Sequence, residues 1–116
     1  MPISYKILGQ IFPTANTLTN VYVTPAATSA IVNSIYIANQ DSANANVDLI
    51  LRPINETLGN KHYILQNQRL DQADTLIINL NITMNSAVIL AVNNTIRAGE
   101  TKSANISVNA FGLEVT

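Results

Sequence analysis

The chain has 116 residues, 47% hydrophobic and only 11% charged, with a net charge of −1 and no cysteine. That length fits one domain with an adequate core, and the lack of cysteine excludes a disulfide framework and any thiolate metal site. The six basic residues, Lys6, Arg52, Lys61, Arg69, Arg97 and Lys102, are scattered, whereas phosphate-backbone binding needs clustered positive charge; nucleic acid is therefore not an expected partner.

The apolar residues come in short alternating runs bounded by turn-forming residues, which predicts strands. Tyr5 to Phe12 is the first and stops at Pro13; Thr14 to Thr17 is a polar loop. Asn20 to Thr24 is a short second strand, ended by Pro25. Ala30 to Ala38 is the most apolar strand. Strict alternation places Ile31, Ile35 and Ile37 on one face and Ala30, Val32, Tyr36 and Ala38 on the other. A strand apolar on both sides is either an internal strand flanked by loops or part of a subunit interface. Asn39 to Asn44 is a polar turn.

Ala45 to Arg52 alternates as a half-wet strand, with Val47, Leu49 and Leu51 inward and Asn46, Asp48 and Arg52 outward, ended by Pro53. Glu56 to Asn60 is a loop in which Gly59 is free to take positive φ. Lys61 to Gln66 is a fifth strand and Asp71 to Asp74 a turn. Thr75 to Ile82 follows, with Leu76, Ile78, Leu80 and Ile82 on the core side, and then Ala87 to Val92. Asn93 to Ser103 is loop-like, and Ala104 to Val115 is the last strand, with a bend expected at Gly112. About eight short strands at this spacing predict an all-β chain: a single antiparallel β-sandwich, jelly-roll-like, spanning residues 1–116. Residues 1–13 form an N-terminal strand, or an arm that exchanges with a neighbour about the Pro13 hinge.

No constellation for catalysis stands out. His62, the only histidine, lies in the strand-like Lys61-His62-Tyr63, where a packed or hydrogen-bonded surface histidine is the expected role. Asp71 and Asp74 are the only close carboxylate pair and lack the remaining ligands of a calcium loop. The glycines are isolated, so there is no phosphate-cradling loop. No catalytic, metal-binding or cofactor-binding residue is assigned, and an enzyme is not expected. No run reaches the roughly 18 apolar residues that span a bilayer, so no membrane partner is expected. Met1 to Lys6 lacks the basic start and apolar run of a Sec-type signal peptide, which predicts synthesis in the cytoplasm.

One asymmetry points to association. Ile11 to Gln40 contains no Asp, Glu, Lys or Arg, and interface cores are depleted in charge in this way. Ala30, Val32, Tyr36 and Ala38 are the candidate contact residues. A net charge this small offers little electrostatic resistance to self-association.

Four segments taken together, Tyr5-Lys6-Ile7-Leu8-Gly9-Gln10, Val23 to Ala30, Asn60 to Ile64 and Asn109 to Thr116, resemble small virion structural proteins of tailed bacteriophages, including phages of cyanobacteria. The resemblance spans nearly the whole chain. It implies a non-enzymatic β module on the virion, foremost a capsid decoration or cement protein: a homo-oligomer, commonly a trimer, that binds the major capsid protein on the outer surface of the capsid and stabilises the shell. A tail component (tube, baseplate or fibre module) shares the composition. A carbohydrate-binding adhesion module would need an exposed aromatic site, against which the 5% aromatic content argues.

Overall fold

The computed structural model describes residues 3–13, 17–40, 45–95 and 106–116. Among these, eight strands form: β1 Ile3–Ile11, β2 Thr19–Val23, β3 Ser29–Asn39, β4 Ala45–Pro53, β5 Tyr63–Leu70, β6 Thr75–Met84, β7 Val88–Thr95 and β8 Ile106–Val115. The only helical piece among the described residues is a 3-10 turn at Asn60–His62. Two four-stranded antiparallel sheets result. Sheet A has the order β1-β8-β3-β6 and sheet B the order β2-β7-β4-β5. The chain thus pairs its ends and works inward, first strand with last, second with seventh, third with sixth, fourth with fifth. That is a jelly roll: the strand spacing predicts the antiparallel, jelly-roll-like sandwich, and the pairing supplies its strand order.

The core lies between the sheets. Val32, Ile35, Ile37, Ile106, Val108 and Ala110 of sheet A meet Val47, Leu49, Leu90 and Val92 of sheet B. Leu76, Ile78, Leu80 and Ile82 of β6 pack against this cluster as their alternation predicts.

Phase slips decide which residues face in. Between Val32 and Ser34 the register of β3 against β8 shifts, with one extra residue on β3. The slip inverts the alternation, so Ala30 and Val32 precede it facing the core, and Ile35 and Ile37 follow it facing the core. The face assigned by strict alternation is therefore wrong for half of β3: Ala30 and Val32 are fully buried inside the domain, and only Tyr36 and Ala38 of the four candidates stand on the outer face. A matching slip lies between Ile7 and Gly9 of β1, and β6 carries an extra residue opposite Asn33, with Asn81 at a φ of 50°. These irregularities fall at the level of Gly112 in β8, where a bend is expected. A Cβ on Gly112 would lie 2.0 Å from the Ile31 carbonyl oxygen, so only glycine lets the two backbones approach this closely.

Two further expectations need correction. Asp48 is buried, and so is Ile50 beside it on the same face, so β4 is covered on both sides and is not half-wet. Gly59 has a φ of −143°; the left-handed turn positions are taken instead by Ala27, Ala73 and Ala87. The segments 14–16, 41–44 and 96–105, which hold most of three predicted loops, lie outside the described residues.

Candidate assembly surface

The outward face of sheet A is built from rows that cross all or most of its strands. Ile3 pairs with Val115 and Ser29; Tyr5 with Leu113, Ile31 and Thr83; Ile7 with Phe111, Ser34 and Asn79; Gln10 with Asn109, Tyr36 and Ile77; and Ser107 with Ala38 and Thr75. Cross-strand neighbours share a face, so these residues form one surface. It carries no charged side chain among the described residues. Lys6 and Glu114 belong to the alternate rows and turn to the inner side.

The apolar members are well exposed. Tyr5 is 79% accessible, Ile77 52% and Tyr36 40%, with Ile3 and Ile7 more than half or half exposed. At the centre the Tyr36 and Phe111 rings meet edge to face with centroids 5.4 Å apart, a favourable aromatic geometry. Gln10 donates to the Asn109 side-chain oxygen at 2.8 Å, satisfying polar groups within the face.

The opposite face of the sandwich is buried along the middle of its two central strands, where Asp48, Ile50, Ile89 and Ala91 alternate with the core rows; Asn46, Arg52 and Asn93 on the same rows are half-buried, and Asn20, Val23 and Arg69 on the edge strands are exposed. Arg52, on the same row, donates to the Glu56 carbonyl oxygen at 2.8 Å, drawing the 54–62 segment back toward this face, and Ile54 N–H bonds the Ala87 carbonyl. His62 anchors the segment. Gly59 N–H donates to His62 Nδ1 at 2.9 Å, which leaves Nε2 to carry the ring proton toward Glu56 Oε1 at 3.3 Å. Lys61 pairs with the same oxygen at 2.8 Å. Hydrogen bonds from Lys61 and His62 hold the Glu56 carboxyl below its ordinary range. Both ring nitrogens of His62 thus serve the loop, which sits in a turn and not in the strand expected from sequence.

A second polar cluster lies on the inner side of sheet A. Lys6 Nζ is 2.6 Å from Glu114, and the Tyr22 hydroxyl of sheet B donates to the same carboxylate. Hydrogen bonds from Lys6 and Tyr22 lower the Glu114 pKa. Burial, the bond to Glu114 and its negative charge all raise that of the Tyr22 phenol. The arrangement is a tie between sheets: a protonated phenol and a paired carboxylate offer neither a free base nor a nucleophile. Asp71 and Asp74 cap a turn, with Arg69 Nε on Asp71 at 3.1 Å and Thr75 N–H on Asp74 at 2.9 Å.

Among the described residues no three His, Asp or Glu side chains gather to hold a metal ion, and no helix is long and apolar enough to cross a membrane. The described cations, Lys6, Arg52, Lys61 and Arg69, are each engaged by a local oxygen.

No protein-family model matches the chain, and no curated protein does. Solved structures do. A chain in the structure of infectious bursal disease virus, Gx strain, aligns with 98% of this chain at a TM-score of 0.58 and 7% identity. One from the Gt strain of the same virus aligns with 97% at a TM-score of 0.52 and 8% identity. In both, this chain spans 32% of the other chain's length. The sandwich described above is therefore a fold that also occurs, as part of a larger chain, in structures of a virus.

Proposed function

We propose that this protein is a structural component of a virion, and within that class a capsid decoration protein of a tailed bacteriophage. It would bind the major capsid protein on the outer surface of the head as a homo-oligomer, with a trimer as the symmetry that the sequence resemblance implies. The observation that carries the reading is the uncharged, largely apolar outer face of sheet A, on a jelly roll whose other face is buried along its two central strands. A surface of that kind is suited to lasting contact with protein. The fold likeness to infectious bursal disease virus structures supports a place in virus architecture, and the four-segment resemblance supports the bacteriophage assignment.

The physical logic of cementing follows from repetition. A small rigid sandwich that touches several shell subunits multiplies modest contacts by multivalency, and a symmetric oligomer matches local symmetry axes of a shell. Exchange of the first strand between neighbours would add a further link: β1 pairs with β8 along its whole length, so the same pairing is available to the β8 of another copy.

Labelling the protein on purified particles and imaging them at a resolution that separates head from tail tests the reading. Label spread over the head at symmetry-related positions is the expected result. Label confined to the tail would replace the decoration role with a tube, baseplate or fibre role. Absence from particles would overturn the virion assignment.

A further inference from the structure

We propose that the outer face of sheet A is covered by the same face of a second copy of this chain, so that sheet packs on sheet about a symmetry axis passing near Tyr36 and Phe111. The inference does not rest on the virion reading: it follows from the face itself.

The first argument is area. Ile3, Tyr5, Ile7, Tyr36 and Ile77 on this one face are 58%, 79%, 50%, 40% and 52% exposed. Side chains of this size present roughly 150–250 Å² each when free, so together they leave several hundred Å² in water, an area of the order of the ~800 Å² per partner that a standard interface buries.

The second argument is charge. A partner chosen for its charge would be met by fixed opposite charge, and this face has none among its described residues. A face without charge can oppose its own copy with no like-charge repulsion, and the net charge of −1 adds almost none at longer range. Apolar rows flanked by Ser, Thr, Asn and Gln are self-complementary in the same sense: hydroxyl and amide groups each donate and accept, so a row can bond to its own image.

The third argument is geometry. Two sheets pack face to face about 10 Å apart by interdigitating side chains, which is how sheets A and B already meet in the core. Pairwise cross-strand neighbours such as Tyr36 and Ile77 give the ridge that such packing uses. A two-fold axis through the centre of the face brings the whole face onto its own image. Such a pair seals the patch as soon as two chains exist, whereas a later partner would leave it open to water.

The mass of the whole chain in solution, read by sedimentation across a dilution series, tests this. A dimer, or a larger assembly built from such dimers, is expected. Tyr36→Lys and Ile77→Lys each bury a lysine at the contact and are expected to weaken association on the order of 100-fold, while thermal melts show the sandwich still folded. Mixing Tyr36→Lys with Tyr36→Asp is expected to restore the assembly, because counterparts meet near the axis. If a lysine variant does not fold, Thr75→Lys, an exposed position on the rim of the same face, takes its place. A wild-type chain that stays monomeric at high concentration overturns the proposal, as does an oligomer whose mass is unmoved by all three lysines. A monomer that still locates to particles would leave the virion role standing and assign the face to another virion protein.

Discussion

The two outer faces of this sandwich solve the same problem in opposite ways. On sheet B, Ile50 and Ile89 are 1% and 6% exposed, in a face toward which the 54–62 segment is drawn by Arg52 and pinned by His62. On sheet A, Tyr5, Ile7 and Ile77 stand in water. Both faces carry apolar residues on rows that alternation in a simple sandwich would leave polar. On sheet B the loop that follows β4 is tied back by a hydrogen-bond network around a buried histidine; on sheet A no such network lies over the apolar rows among the described residues, and charge is simply kept off them. The difference is why the self-association proposed above is assigned to sheet A.

The comparison breaks most sharply on β3, where the two kinds of burial lie four residues apart. Val32→Lys places a charge in the inter-sheet core and is expected to cost about 4–5 kcal/mol, enough to unfold a small domain. Tyr36→Lys is expected to cost the isolated subunit only about 1 kcal/mol, the worth of the ring pair with Phe111. Chemical denaturation of both, below the concentration of association, checks this. Equal effects would mean that β3 does not slip between Val32 and Ser34.

Gly112→Ala tests the slip from the neighbouring strand. The new Cβ would sit 2.0 Å from the Ile31 carbonyl oxygen, a backbone atom that cannot swing aside, so a loss of about 2–3 kcal/mol is expected in urea unfolding. An unchanged midpoint would mean that β8 and β3 do not approach as closely at this level.

These two sites also show what was legible in the chain. The strands and the antiparallel sandwich were legible, because Pro13, Pro25, Pro53 and the Asn-rich and Asp-rich turns break the alternating runs cleanly; the strand order was not, because nothing local says which strands pair. The facing of β6 was legible too, since its apolar period stays unbroken from Leu76 to Ile82. The facing of β3 was not: a period-2 argument carried across an extra residue inverts. The one sign of it was Asn33, a polar residue that strict alternation sets among Ile31, Ile35 and Ile37. The charge-free stretch from Ile11 to Gln40 pointed to association but not to the surface, because topology distributes it over both sheets. Most of the open face comes from Ile3, Tyr5, Ile7, Phe111 and Leu113, residues that become neighbours only when the first strand pairs with the last. The burial of Asp48 and Ile50 was equally hidden, since the alternation of β4 does not show what packs over its outward row.

A smaller effect is expected on the sheet B side. His62→Ala removes the acceptor for the Gly59 N–H and the contact to Glu56, at an expected cost of about 1–2 kcal/mol. Faster proteolysis within 54–62, with the rest of the chain protected, is the accompanying readout. Uniform loss of protection over the whole chain would make the segment part of the global fold and not a separately tied loop.

The smallest effect separates the inner side of β1 from its outer side. Ser4 and Lys6 are exposed on the inner row, so this end of the strand is joined across the sandwich by the Lys6–Glu114–Tyr22 tie and not by apolar burial. Lys6 and Tyr22 lower the Glu114 pKa from its ordinary 4.5. A depressed carboxylate pKa contributes stability that is present above the unfolded value and is lost as pH falls through the folded one. Stability is therefore expected to drop from about pH 5 downward. Glu114→Gln is expected to cost about 1 kcal/mol at neutral pH, a modest value because the Lys6 side chain is 45% exposed and solvent screens the pair, and the gap between variant and wild type should close as the carboxyl protonates. Urea midpoints of both proteins from neutral pH to about pH 2 measure that gap. A gap constant with pH would assign the loss to packing of the Glu114 side chain, and the end of β1 would then be held by its pairing with β8 alone.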